Sequence, residues 1–307
     1  MIKALVGYTG FVGSNLAEQT DFQGLYNSKN IESAYATKPE LLIYSGVRAE
    51  KYLANREPEQ DYSLVQNAFE NILKISPKKV VLISTIDVYK TPIAVDEDTA
   101  IDTENLHPYG LNRYLLEKML EESNMPSLIL RLPALFGKNI KKNFIYDLIN
   151  VIPTMLSKEK LDELSDAKPT IKQYYSLHES GLYKCTAHEN ELPPLKQLFT
   201  EVGFTALNFT DSRASFQFFN LNYLWEIINK ALELNLTKLN IATEPLTASE
   251  IYRFLYSSKS FTNELSPQAA KYDFRSKYAE LFGGKNGYMF SSSEVLNDIK
   301  QFVDLSS

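Results

Sequence analysis

Three glycines open the chain at a spacing with a chemical use: Gly7-Tyr8-Thr9-Gly10-Phe11-Val12-Gly13. Gly7 lets the chain turn out of a strand, Gly10 lets backbone approach a pyrophosphate, and Gly13 lets a helix pack closely on that strand. The unpaired N–H groups at the start of that helix would face the phosphates, with Thr9, Phe11 and Val12 in the loop. Two further small-residue ends, Ser45-Gly46 and Ser84-Thr85, and the pair Pro133-Ala134 follow apolar runs, where ligands of open parallel sheets bind. Tyr109 and Arg113 stand one helical turn apart and share a face; if that helix flanks the crevice, a phenol and a guanidinium point together at the bound cofactor. After the second apolar run comes Tyr26-Asn27-Ser28-Lys29-Asn30, with no acid before Glu32. An acid there takes the ribose hydroxyls of NAD; Lys29 beside Asn27 and Ser28 tolerates or favours a 2′-phosphate, which leans the reading to NADP over NAD.

Candidates for substrate contact are Arg213, which precedes an aromatic run, and Asn143, which follows Lys141 and Lys142. An arginine beside a crevice can clamp a diphosphate bidentately, although a salt bridge to Asp211 is an equal alternative. Arg48 and Lys51, after Ser45-Gly46, are further candidates for phosphate or substrate. The three histidines show no metal-ligand spacing, so no metal is expected. No Gly-x-Ser-x-Gly elbow surrounds Ser84, which argues against hydrolase chemistry, and no phosphate loop ends in Gly-Lys-Ser/Thr.

The elements that must position these residues alternate through the first half. Strands are expected at 2–6, 24–27, 40–46, 79–85 and 127–132, and helices after Gly13, at 61–75 and at 109–123. The 61–75 helix places Leu64, Val65, Ala68, Phe69, Ile72 and Leu73 on one face and stops at Pro77. This is the pattern of a parallel sheet covered by helices on both faces. From Lys141 the alternation fails, and 154–208 reads as an inserted region facing the substrate. A helix at 221–234 and a strand at 238–242 resume the sheet, and 294–303 reads as a closing helix capped within Ser291–Ser293. The expected division is a dinucleotide-binding domain of 1–140 plus about 218–245, and a smaller α/β substrate-binding lobe of about 141–217 plus 246–307, including Phe274 to Met289.

The chain has 307 residues, 44 % hydrophobic and 23 % charged, enough for a large core. A net charge of −6 gives no electrostatic reason to expect nucleic acid or an anionic membrane as partner. One cysteine, Cys185, excludes an internal disulfide and suits a reducing compartment. No apolar run reaches the ~20 residues needed to span a bilayer, and Met1 leads almost directly into the first strand, so a cytoplasmic protein is expected.

Four elements in order carry a resemblance: Gly7-x-x-Gly10-x-x-Gly13; Ser84-Thr85-Ile86-Asp87-Val88-Tyr89; Pro108-Tyr109-Gly110 with Glu117; and Arg131-Leu132-Pro133-Ala134-Leu135-Phe136-Gly137. Over residues 1–150 the chain resembles the extended short-chain dehydrogenase/reductases, the superfamily of nucleotide-sugar epimerases, dehydratases and reductases; beyond 150 only Leu239-Asn240-Ile241-Ala242 matches. The resemblance implies a Rossmann-type doubly wound fold and an NAD(P)-dependent oxidoreductase or epimerase acting on a nucleotide-sugar or related hydroxyl/carbonyl substrate. It implies Tyr109 as general acid/base and Thr85 as the hydroxyl that polarises the substrate oxygen. It also implies a homodimer through paired helices. Its lysine position is Arg113, a departure. A guanidinium favours a nearby phenolate through its charge, but it gives up no proton. The alternative is a cofactor-binding sensor or scaffold without chemistry. Asp87 lies two residues after Thr85, and alternation alone does not bring it into the site.

Overall fold

The computed structural model describes residues 1–257 and 259–306. They divide into two units: 1–140, 215–246 and 271–298 form the first, and 141–214, 247–270 and 299–306 the described part of the second.

The first unit is a six-stranded parallel sheet. Its elements in order are β1 (Lys3–Val6), α1 (Phe11–Gln19), β2 (Gly24–Tyr26), β3 (Leu41–Tyr44), α2 (Lys51–Arg56), α3 (Pro58–Ile75), β4 (Val80–Thr85), α4 (Pro108–Glu122) and β5 (Ser127–Leu132). Strand Lys238–Asn240 closes the sheet beyond β5, giving the spatial order β2-β1-β3-β4-β5 and then 238–240. The order reverses between β1 and β3, whose ends stand side by side, Val6 level with Tyr44. Alternation along β1 sends Leu5 to one face and Ala4 and Val6 to the other. Leu5, Ile43 and Val81 pack with Leu16 of α1 and with helix Leu224–Glu233. Ala4, Val6, Leu42 and Leu82 pack with Val65, Ala68 and Ile72 of α3 and Leu116 and Leu120 of α4. Both faces are covered, so the sheet is doubly wound and of Rossmann type, as the alternating pattern implied.

Two features differ from the sequence reading. In α3, Leu64 and Leu73 are exposed, and the buried stripe is Asp61, Val65, Ala68, Ile72 and Ile75. An acid therefore lies on the inward face. Residues 271–298 belong to the first unit, although they were expected in the second lobe. Irregular backbone pairing holds them there: Ala94 donates to the Asp273 carbonyl, Asp273 to Pro92 and Arg275 to Val95. Phe274 then packs with Ile86, Val88 and Tyr89.

The second unit has its own core of Leu156, Leu161, Leu164, Ile171, Tyr175, Leu195 and Phe199. These come from a three-stranded antiparallel sheet (Met155–Leu156, Tyr183–Cys185, Tyr175–Leu177) and helices Lys158–Ala167 and Leu192–Glu201. Among the described residues no helix is long and apolar enough to cross a membrane.

Candidate functional site

The glycine loop joins β1 to α1 at the switch point. Gly7 has φ +92°, and a Cβ there would lie 2.6 Å from the Ser45 carbonyl oxygen and 2.9 Å from the Gly46 Cα. Any other residue at Gly7 would be strained and would collide with the end of β3. A Cβ on Gly13 would lie 2.1 Å from the Gly7 carbonyl oxygen, so this glycine permits the close strand–helix approach. Gly10 is the N-cap of α1 and offers no side chain to its first N–H groups. Thr9 and Gly10 are exposed, and Phe11 and Val12 half-buried. Ser45 turns its hydroxyl back to the Val6 carbonyl, at 2.9 Å. At the end of β2, Asn27 accepts the Lys29 N–H at 2.9 Å, and Ser28 and Lys29 are exposed. Pro133 is half-buried between β5 and strand Ala134–Phe136.

At the end of β4 the chain makes a single helical turn at Ile86–Val88, capped by the Thr85 hydroxyl, which accepts from the Asp87 N–H at 3.2 Å. The first turn of α4 packs directly on this segment, since a Cβ on Gly110 would lie 2.1 Å from the Asp87 carbonyl oxygen. Pro108 starts α4 at a position that needs no N–H, and His107 caps it through Nδ1, which accepts from Gly110 at 3.0 Å. Tyr109 is thereby set beside Thr85 and Asp87, only 8 % exposed, with the His107 ring stacked at a centroid distance of 6.3 Å. Its N–H donates to Asn55 of α2 at 2.9 Å.

Thr85, Tyr109 and Arg113 come together, but Arg113 is already occupied. Its guanidinium lies over the Tyr109 ring, 4.1 Å from the centroid. One terminal nitrogen pairs with Asp61 and the other donates to the Arg48 carbonyl. The two charged side chains are 6 % and 8 % exposed, and Asp61 also accepts from Asn112 at 2.8 Å. Burial pushes the Tyr109 phenol above its ordinary value. Arg113 pulls it down, as the sequence reading expected, and Asp87 pushes it further up, while hydrogen bonding with Thr85 lowers it. Burial prevails.

The neighbourhood also holds Lys51, a candidate for phosphate or substrate, Asp87, which alternation did not bring into the site, and groups the sequence reading left aside. Asp87 pairs with Lys51 Nζ at 3.1 Å and accepts from the Tyr272 hydroxyl at 2.9 Å. Burial, and then Lys51, push the His107 imidazole down. Burial, followed by Asp87, pushes the Tyr272 phenol up. Asp61 carried a readable signal, an acid in the stripe of Val65, Ala68 and Ile72. Tyr272 carried none, because its segment lacks regular structure.

Three candidate contacts are used otherwise. Ser84, expected at the cofactor, is turned inward and donates to Glu117. Glu117 is forked to Arg131, whose other nitrogen donates to the Tyr89 hydroxyl at 2.7 Å. Ser84 and Thr85 are adjacent on a strand, so they point to opposite faces. Asn143, expected at the substrate, has φ +98° and caps helix Phe144–Ile149, its side-chain oxygen accepting from Ile145 and Tyr146. Arg213, for which a diphosphate clamp and a salt bridge to Asp211 were equal expectations, makes the salt bridge, forked to Asp211 (3.0 and 2.8 Å), and is also paired with Glu264 at 2.9 Å. Arg213 and the Leu265 N–H hold the Asp211 carboxyl well below the usual range. Among the described residues no three His, Cys, Asp or Glu side chains gather as a metal site requires.

No protein-family model matches the sequence, and no curated protein sequence does. Solved structures share its fold. The chain superposes on a dTDP-4-dehydrorhamnose reductase from Clostridium acetobutylicum with a TM-score of 0.64 at 12 % identity, covering 99 % of each chain. A UDP-glucose 4-epimerase from Thermotoga maritima, solved with UDP-glucose, gives 0.63 at 12 % identity, over 99 % of this chain and 98 % of its own. The Bordetella bronchiseptica enzyme WbmG, solved with NAD and UDP, gives 0.64 at 13 % identity, over 99 % and 94 %.

Proposed function

We propose that this protein is an NAD(P)-dependent oxidoreductase or epimerase acting on a hydroxyl or carbonyl of a nucleotide-activated sugar. The observation that carries the reading is the placement of Tyr109 and Thr85 at the end of β4, in the same sheet whose switch point holds the glycine loop. The loop fits a dinucleotide: side chains at Gly7 and Gly13 would meet backbone, and α1 begins without a side-chain cap. Backbone from Thr9 to Val12 would hold the pyrophosphate, with Gly10 leaving it room. Ser45 and Gly46 would lie along the cofactor, and Asn27, Ser28 and Lys29 would meet the adenosine ribose, with NADP favoured over NAD by Lys29. Structures sharing the fold were solved with NADP, NAD or NADPH. When bound, the nicotinamide supplies or accepts hydride. Thr85 orients the substrate oxygen, and Tyr109 gives it a proton or takes one.

Burial holds the Tyr109 phenol in the protonated form that carbonyl reduction requires, and the charges beside it set how readily that proton leaves. A homodimer would cover the exposed Leu64 and Leu73 of α3. The second reading, a cofactor-binding sensor or scaffold, rests on the pairing of Arg113 with Asp61, which offsets part of the positive charge beside the phenol.

Thermal unfolding with NADPH or NADH at millimolar concentration tests the cofactor, with a rise in Tm expected. No shift with either would remove both readings. NADPH oxidation with UDP- and dTDP-linked 4-keto sugars then separates them. The enzyme reading expects turnover that Tyr109→Phe lowers by about 10²–10⁴-fold. Turnover that survives Tyr109→Phe would remove Tyr109 from the acid/base role.

A further inference from the structure

The geometry points to Lys51 as the residue that, by pairing with Asp87, offsets the negative charge which opposes Arg113 at the Tyr109 phenol. The inference rests on the reading of Tyr109 as acid/base, and it makes Lys51 a positioning residue. The two carboxylates that act on the phenol, Asp61 and Asp87, each hold a cation. Arg113 is held by Asp61 from α3, and both are buried, so Asp61 offsets part of the charge that Arg113 presents to the phenol. Asp87, on the turn that packs under Gly110, faces Tyr109 and is held by Lys51 from α2. The remaining titratable groups that face the phenol are the His107 imidazole from the N-cap of α4 and the Tyr272 hydroxyl, bonded to Asp87. His107 is kept neutral by burial and by Lys51. Among the described residues Lys51 is thus the cation that decides how much negative charge Asp87 presents to the phenol.

The local chain is built to put it there. Pro58 begins α3 and separates it from the six-residue α2. α2 is anchored on α4 at two points. The Arg48 carbonyl, three residues before Lys51, accepts from Arg113, and Asn55, one turn after Lys51, accepts the Tyr109 N–H. Both anchors lie on residues that flank the phenol. Lys51 keeps 42 % of its side chain exposed, so its charge costs little desolvation and stays open to exchange with solvent. A guanidinium locked to a buried carboxylate offers neither property.

The test uses the full-length protein carrying tyrosine labelled with ¹³C at Cζ, the Tyr109 resonance being the one lost in Tyr109→Phe. Lys51→Met changes a part-exposed residue and is expected to fold. It should move the Tyr109 titration upward by about one pH unit, since the carboxylate facing the phenol loses its counter-charge. Lys51→Arg should restore it, and Asp87→Asn should move it downward. The His107 imidazole is an internal gauge of where Lys51 sits, and its titration should rise in Lys51→Met. A Tyr109 titration that Lys51→Met leaves in place overturns the proposal, as does a phenol that stays protonated to pH 11 in every variant. The cofactor is absent from this experiment, so a failure to bind NADPH would overturn the proposed function without altering the outcome here.

Discussion

Replacing Asp61 by Asn tests whether Arg113 is a bound structural cation or a free catalytic one. The change keeps shape and an acceptor oxygen but removes the charge. In the native protein the same Asp61 oxygen accepts from Arg113 and from Asn112. An amide oxygen can go on doing both, so the loss falls on charge compensation. Leaving one partner of a buried ion pair uncompensated costs about 3–5 kcal/mol. Two interactions soften it: the Arg113 guanidinium keeps the Arg48 carbonyl and the face of Tyr109, a cation–π contact worth about 2 kcal/mol when desolvated. Since both persist, the lower end, about 3 kcal/mol, is expected. For a unit of roughly 200 residues this lowers Tm by about 6–12 °C. The phenol responds in the opposite sense. With the carboxylate gone and the guanidinium uncancelled, both changes favour phenolate, so the Tyr109 titration moves down. Differential scanning fluorimetry reads the first effect and ¹³Cζ-tyrosine NMR the second. A double-mutant cycle with Arg113→Met isolates the pair itself. A loss under about 1 kcal/mol, or an upward movement of the phenol, would refute the view that Asp61 offsets the charge of Arg113.

Two further outcomes follow from the same environment. The His107 imidazole titrates below its ordinary 6.5 because burial, and then Lys51, disfavour its charged form. The unfolded chain therefore binds the proton first: stability is intact above pH 6.5, falls as the pH drops from there to the lower folded value, and protonation of Nδ1 also destroys the cap on Gly110. His107→Asn keeps a capping oxygen without titrating and should flatten that part of the stability–pH curve measured by urea unfolding; an unchanged slope would assign it to another group. Ser84→Ala should cost about 1.5 kcal/mol through its lost bond to the charged Glu117, yet leave the Kd for NADPH within about twofold. A large loss of NADPH affinity would return Ser84 to the cofactor.

The parts of this protein that were legible in the sequence depend on neighbours along the chain. The glycine loop could be read because its packing is largely internal: Gly13 meets the Gly7 carbonyl and Tyr8, a few residues away in the same loop. The strands could be read because a parallel sheet buried on both faces writes continuous apolar runs, as in Val80-Val81-Leu82-Ile83. Pairings across long separations were not legible. The partner of Arg113 lies 52 residues earlier, and the placement of 271–298 follows from backbone bonds to 92–95 that no periodicity records. Ser84 was misassigned for want of a period-two argument: next to Thr85 on a strand, it had to face the other way. Arg131 near the end of buried β5 carried a similar clue, since a buried guanidinium requires an acid, and Glu117 on α4 supplies it.

Position 113 shows why the exchange of one cation for another is not a small change. A lysine there would offer a compact ammonium that moves on a flexible stem. The guanidinium instead lies flat on the Tyr109 ring and forks between Asp61 and the Arg48 carbonyl, a set of three contacts that needs a planar group with donors on separate nitrogens. In this arrangement Arg113 is a staple joining α4, α3 and the segment that leads into α2. The staple carries the start of α2 to the phenol, and Lys51 stands three residues beyond its anchor. Arginine at 113 and lysine at 51 are therefore one device: the cation locked against Tyr109 anchors the segment that brings a second cation to Asp87.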